Sequence, residues 1–122
     1  MTTQVHSLVV KPMGNPDETR TPPKAHVEVC KIGDHTVMRA TFEPGWKWSE
    51  CIKPVAKTDH CMVEHFVYTI SGRMVVVMED GTKKEFGPGD AGHIPPGHDA
   101  WIVGTEKCVM IDFSGGGNYA KK

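Results

Sequence analysis

The sequence predicts an all-β fold, in which one antiparallel barrel of the jelly-roll type forms a single domain. Short apolar stretches recur at near-regular spacing, and corners rich in glycine and proline separate them. No helical period is sustained for three turns, which argues against a helical bundle. No internal repeat is present, so the chain corresponds to one barrel rather than two.

The composition argues against several classes of function, among them nucleic-acid binding and membrane insertion. With 122 residues and a net charge of −1, the chain has the length of one domain and no strong field that would attract nucleic acid or anionic lipid. It contains no apolar run of the roughly 20 residues that a membrane helix needs, and no secretory signal pattern. Its four cysteines have no paired spacing, which indicates free thiols rather than disulfides. We therefore expect a cytoplasmic protein that binds neither nucleic acid nor membranes.

The first third of the chain predicts an arm followed by a hairpin. Residues 1–24 combine proline with charge, so we expect an arm that lies along a sheet edge. Residues 25–32 and 35–42 alternate polar and apolar side chains on either side of Gly33 and Asp34, which is typical of a β-hairpin.

The rest of the chain predicts the body of the barrel. A strand resumes with Trp46 and Trp48 on one face, where large aromatic side chains would cover the core. Residues 50–58 contain a proline and two lysines and indicate a loop or lid at the mouth. A hairpin of residues 75–78 and 83–86 is predicted next. Closing strands follow at 100–103 and 108–113, and then a mobile tail at 114–122. Cys30 and Cys108 lie within apolar strand patterns and are expected in the core. The barrel itself then spans residues 25–113.

Two segments carry a resemblance to a known family. The segment Gly87–His98, which reads GPGDAGHIPPGH, resembles the second conserved motif of the cupins, where a glycine is followed after five residues by Pro-x-Gly and then by a ligand histidine. The first cupin motif ends H-x-H-x-x-x-E followed after six residues by glycine, and Gly72 with the strand at 66–71 fits that ending. The resemblance covers residues 36–113 and implies the cupin double-stranded β-helix.

The same resemblance implies a metal site with an unusual ligand set. Counted from Gly72, the glutamate position of the first motif falls on His65, and its two histidine positions fall on Cys61 and Asp59. The histidine position of the second motif falls on Ala100, and His98 stands two residues earlier on the same strand face. We expect Cys61, His65 and His98 to bind one divalent metal. Thiolate and imidazole ligands favour zinc, with copper, nickel or ferrous iron as alternatives.

Neighbouring residues leave further possibilities open. Strand alternation would turn Asp59 inward, as a ligand or a base, and His60 outward. His93 could be a fourth ligand or a hydrogen-bond donor to one. His6, His26 and His35 are expected at the surface. A nucleophilic Cys61 with His65 as its base is the non-metal alternative.

These residues predict a metal-binding cupin with a small-molecule pocket inside the barrel. As an enzyme it would be of the dioxygenase, isomerase, decarboxylase or lyase type, acting on a small organic acid or carbonyl compound. The alternative is a non-catalytic module that senses or sequesters a ligand or a metal. We also expect Trp101 and at least one of the other two tryptophans near the pocket. Apolar edges at residues 8–10 and 25–32 predict a homodimer, since pairing removes exposed edges.

Overall fold

The computed structural model describes residues 7–114 and shows the predicted all-β fold. The described residues form nine strands and two one-turn helices. In chain order these are β1 (Glu18–Arg20), β2 (Ala25–Ile32), β3 (His35–Phe42), α1 (Trp48–Cys51), α2 (Lys53–Ala56), β4 (His65–Ser71), β5 (Met74–Met78), β6 (Lys83–Phe86), β7 (Ala91–Ile94), β8 (His98–Ile102) and β9 (Cys108–Asp112). None of the helices in this part of the chain is long and apolar enough to cross a membrane.

The strands form two antiparallel sheets with the core between them. One sheet has six strands in the order β1-β2-β3-β9-β4-β7, and the other has three in the order β6-β5-β8. Side chains from both sheets make one buried cluster, which includes Val27, Met38 and Met110 of the larger sheet and Met74 and Val76 of the smaller. Because alternate side chains of β4, β8 and β9 are buried, the inner faces of these three strands meet inside the sandwich.

Both predicted hairpins are confirmed. Strands β2 and β3 pair from Ala25 opposite Phe42 to Ile32 opposite His35. Strands β5 and β6 pair from Met74 opposite Phe86, and Gly81 in their turn has φ +91°. Such a positive φ favours glycine, so the local sequence was sufficient to place the turn.

The segment after β3 differs from the prediction. Instead of a strand through both tryptophans and a loop or lid, Trp48 begins α1, and α2 follows with Pro54 in its first turn. Proline is tolerated there because the first N–H groups of a helix have no intrahelical partner. Each helix has only four residues, too few for a helical period to show in the sequence. Asp99 Oδ1 of β8 accepts the N–H of Ser49 at 3.1 Å and so anchors α1 to the smaller sheet.

Strand β1 lies at the outer edge of the larger sheet. It pairs with β2 from Glu18 opposite Val29 to Arg20 opposite Val27. The expectation that β2 presents a free apolar edge is therefore wrong, because β1 covers its centre. The division into an arm, a barrel and a tail stays a prediction. Residues 1–6, with His6, and residues 115–122 lie outside the described residues.

Candidate metal centre

Three predicted ligands meet at one end of the sandwich. Cys61 precedes β4, His65 begins β4, and His98 begins β8. One ligand atom from each of them lies within 4.8 Å of the others, and Cys61 Sγ is 3.8 Å from His65 Nε2. All three side chains are buried, with at most 6% of any residue exposed.

The main chain before β4 makes this meeting possible. Residues four apart on a straight strand would be separated by roughly 13 Å at ~3.3 Å per residue. Residues 62–64 are not in a strand, so the chain turns between Cys61 and His65. Cys61 N–H donates to His98 O at 2.7 Å, and Gly97 N–H donates to Cys61 O at 2.8 Å. These bonds hold the cysteine beside the start of β8.

Each histidine has its Nδ1 atom engaged away from the cluster and offers its Nε2 atom to it. His65 Nδ1–H donates to Asp112 Oδ2 at 2.6 Å, and His98 Nδ1–H donates to the Pro95 carbonyl at 2.8 Å. A carboxylate and a carbonyl only accept, so each Nδ1 carries a proton, and Nε2 is the atom of each ring that can bind a metal. Metal-binding histidines in proteins have this arrangement, in which a second partner fixes the ring and its tautomer.

Burial controls the charges in the cluster. It lowers the pKa of His98 to about 4, so this ring is neutral near pH 7 and can act as a ligand. Burial, and then the carboxylates of Asp112 and Asp99, raise the pKa of the Cys61 thiol to about 11. A thiol held in its protonated form is a poor nucleophile, which argues against the nucleophile–base alternative. A bound cation would take the place of that proton.

Asp112 remains a carboxylate in this setting. Burial alone would raise its pKa, but the hydrogen bonds from His65 and Ser114 outweigh burial and hold the pKa below its ordinary value. The Ser114 N–H and Oγ–H donate to Asp112 Oδ1 at 2.9 and 2.6 Å. The orientation of Asp112, and with it that of the His65 ring, is therefore fixed.

The cluster fits a metal of the predicted kind. Zinc binds sulfur at ~2.3 Å and imidazole nitrogen at ~2.0–2.1 Å, so tetrahedral geometry places the two ligand atoms about 3.6 Å apart. The observed 3.8 Å between Cys61 Sγ and His65 Nε2 agrees with that separation. Three protein ligands leave a fourth position for water or a ligand.

Comparisons with known proteins bear on the fold. No family model matches the chain, and no curated protein matches it. Among solved structures it resembles a sugar phosphate isomerase of the cupin superfamily from Silicibacter pomeroyi, with 18% identity over 78% of this chain and 68% of that chain and a TM-score of 0.55. It also resembles a cupin-like protein from Thermotoga maritima, with 17% identity over 72% of this chain and 65% of that chain and a TM-score of 0.51. The chain has the cupin fold.

Two further solved structures resemble the chain. The polyketide cyclase RemF from Streptomyces resistomycificus shares 18% identity over 92% of this chain and 78% of that chain, with a TM-score of 0.56. Oxalate decarboxylase from Bacillus subtilis shares 23% identity over 80% of this chain but only 27% of that chain, with a TM-score of 0.52. Identities this low support the fold and leave the chemistry to the site itself.

Two other candidate residues of the chain do not belong to the cluster. The Asp59 side chain is 92% exposed and lies near Lys53, so its predicted inward position is wrong. Residues 57–60 form no strand, and strand alternation does not apply to them. His93 faces outward on β7 and is bonded to Glu64, so it is neither a fourth ligand nor a donor to one. His60 is partly exposed and lies 3.2 Å from Glu79.

Asp112 is a site residue that the sequence-based prediction did not include. Cys108, Met110 and Asp112 are the buried, alternate positions of β9. A carboxylate at an inward position of an apolar strand is a usable signal, because a buried charge requires a partner. The partner, His65, is 47 residues away in sequence, which local reasoning could not identify.

A small apolar cavity borders the cluster. Its volume is about 40 Å³. It is lined by Met38, Ala40, Phe42, Trp46, Trp48, His65, Val67, Met74, Val76, Ile94, His98, Ala100, Met110 and Asp112. The expectation that Trp46 or Trp48 lies near the pocket agrees with this lining. Trp101 is absent from it, because three residues from His98 along β8 leads to the opposite face, where Lys47 Nζ lies 5.6 Å from its ring.

Proposed function

We propose that this cupin binds one divalent transition metal through Cys61, His65 and His98. The observation that carries the proposal is that both imidazole Nδ1 atoms are engaged while the three side chains bring their ligand atoms within 4.8 Å of one another. Buried histidines that only support a core do not require this shared tautomer together with a thiol.

Zinc is the metal that this ligand set favours. One thiolate and two imidazoles make a soft-to-borderline site, and such a site disfavours manganese and magnesium. Copper, nickel and ferrous iron accept the same ligands and are the alternatives. With Cys61 and Asp112 both ionised, a divalent ion would bring the formal charge of the buried site to zero, which lowers the cost of burying it.

The proposed activity is metal-assisted chemistry on a small organic acid or carbonyl compound. A metal with an open position polarises a carbonyl or lowers the pKa of bound water to ~7. In this chain Asp112 would hold the His65 ring in place, and the apolar cavity wall would exclude bulk water from the reacting group. The structural neighbours of the chain include an isomerase, a cyclase and a decarboxylase, which supports a reaction of the isomerase, lyase or decarboxylase type.

A non-catalytic function is the second candidate, and the size of the cavity favours it. A volume of about 40 Å³ admits only a few atoms, so a large substrate would require the site to open. A module that senses or sequesters metal or a very small ligand needs no such opening.

The first test is elemental analysis of protein purified without chelator. We expect about one transition metal per chain in the wild type and a strong loss in His65→Ala. His93→Ala is the matched control, because His93 is exposed and outside the cluster, and it should keep its metal. Full metal retention in His65→Ala would disprove the assignment. Turnover of small acids and carbonyl compounds, or oxygen consumption, by the loaded protein would then favour the enzyme over the sensor.

A further inference from the structure

Two tryptophans that line the cavity have buried indole N–H groups without a hydrogen-bond acceptor from residues 7–114. They are Trp46 and Trp48, which are 2% and 1% exposed. Both side chains line the cavity that His65 and His98 also border. An indole N–H can only donate, and a buried donor without an acceptor is costly.

The surrounding structure holds both tryptophans in place. The Trp46 ring packs against Phe42 with centroids 4.4 Å apart, and its carbonyl accepts the Ile102 N–H at 3.0 Å. Trp48 begins α1, and Asp99 fixes the next residue through the Ser49 N–H. Neither indole can therefore turn to water without disturbing its neighbours. The unpaired donors are part of a rigid wall.

We propose that the cavity binds a small molecule through an acceptor oxygen, in a carbonyl or carboxylate group, that receives hydrogen bonds from the Trp46 and Trp48 indoles. Most of the remaining wall is apolar, so these donors are suited to orient a ligand. A water occupies about 10–15 Å³ on the same scale, so the cavity encloses about three non-hydrogen atoms. The hydrogen bonds from the two indoles do not depend on the proposed function. Only the position of the ligand next to a bound metal rests on it.

The charge of the ligand decides whether it can bind without metal, and it differs between a neutral carbonyl compound and a carboxylate. Asp112 borders the same cavity and accepts hydrogen bonds from His65 and Ser114 with its two carboxyl oxygens, so its side chain repels an anion there, while a divalent ion on the cluster would offset that repulsion. A neutral carbonyl ligand should therefore bind with or without metal. A carboxylate should bind only to the zinc-loaded protein.

The test uses the indole N–H resonances in ¹⁵N–¹H correlation spectra of the full chain. The protein has three tryptophans, and Trp46→Phe, Trp48→Phe and Trp101→Phe each remove one resonance and so assign it. The probes are formamide and formate, which have the same three-atom heavy skeleton and differ in charge. We expect formamide to shift the Trp46 and Trp48 resonances to saturation in metal-free and zinc-loaded protein. Formate should do so only after zinc is added, and the Trp101 resonance should not move.

The variants measure the contribution of each donor. Loss of one neutral hydrogen bond should weaken formamide binding roughly threefold to tenfold in Trp46→Phe and in Trp48→Phe. Trp101→Phe is the matched control and should bind as the wild type does. If formamide leaves both buried indole resonances unmoved, or if both variants keep wild-type affinity, the proposal is overturned. If zinc does not bind but formamide still shifts both resonances, the metal proposal fails and this one stands.

Discussion

At the residue scale, the site depends on which atom of each ring is engaged. Asp112 and the Pro95 carbonyl take up Nδ1 of His65 and His98, and Asp112 is held in turn by Ser114. This chain of bonds fixes both rings beside the cysteine, whose sulfur lies 3.8 Å from His65 Nε2. Pre-oriented ligands lose little freedom on binding, which raises affinity.

Asp112→Asn tests this orientation directly. Asparagine has nearly the same shape but lacks the charge, so His65 should be held less firmly and be a weaker ligand. We expect zinc affinity to fall about 10- to 100-fold, measured by competition with a chelator. Asp80→Asn is the control, because Asp80 is an exposed carboxylate in the β5–β6 turn. Unchanged affinity in a folded Asp112→Asn variant would remove Asp112 from the site.

At the scale of elements, close approaches of the main chain set the positions of the strands that carry the ligands. Gly72 follows β4 and has φ +77°, and a Cβ there would lie 2.3 Å from Lys107 O and 2.4 Å from Cys108 Cα. Only glycine allows β4 to pass this close to the start of β9. The approach helps to align β4, which carries His65, with β9, which carries Asp112.

Gly72→Ala should therefore destabilise the protein strongly. Backbone strain and overlap together predict a loss of about 3 kcal/mol in the free energy of unfolding, measured by urea denaturation. Gly81→Ala is the matched control, since Gly81 also has positive φ but a Cβ there would meet open space. That variant should lose only about 1 kcal/mol, from strain alone. Equal losses in the two variants would show that close approach is not what requires Gly72.

The limits of prediction follow from the same distinction between local and distant contacts. The two hairpins were predictable because their turns and alternation are local. The three cluster residues followed from a family pattern of glycines and prolines. The predicted position of Asp59 was wrong because Asp59 lies in a segment that forms no strand. The predicted position of Trp101 was wrong because Trp101 is three residues from His98 and so lies on the opposite face of β8. Asp112 required knowledge of how β9 pairs with β4, which one sequence does not supply.

At the scale of the whole molecule, the outer face of the larger sheet is unusually apolar. Phe66, Tyr68 and Ile70 alternate along the outer side of β4, and each is about half exposed. Phe113 lies next to Phe66, to whose carbonyl its N–H donates, and is exposed to the same degree. A continuous apolar face of this kind is typical of a surface that another molecule covers.

The sequence predicts a homodimer through residues 8–10 and 25–32, and in place of that contact we propose that a second copy of the chain covers this outer face of β4. Phe66→Lys places a charge at its centre and should convert the dimer to a monomer at micromolar concentration, as measured by sedimentation. Thr82→Lys, at an exposed residue of the β5–β6 turn on the smaller sheet, should leave the dimer intact. A wild-type protein that sediments as a monomer would count against the dimer.

The central claim is that sulfur and two imidazoles bind one metal, and X-ray absorption at the zinc edge tests it most directly. For zinc-loaded wild type we expect one sulfur at ~2.3 Å together with nitrogen or oxygen neighbours at ~2.0–2.1 Å, and an imidazole contribution equivalent to two rings. In Cys61→Ser the sulfur shell should disappear, while in Cys108→Ser, which changes a buried cysteine outside the cluster, it should remain. A first shell without sulfur in the wild type would contradict the account.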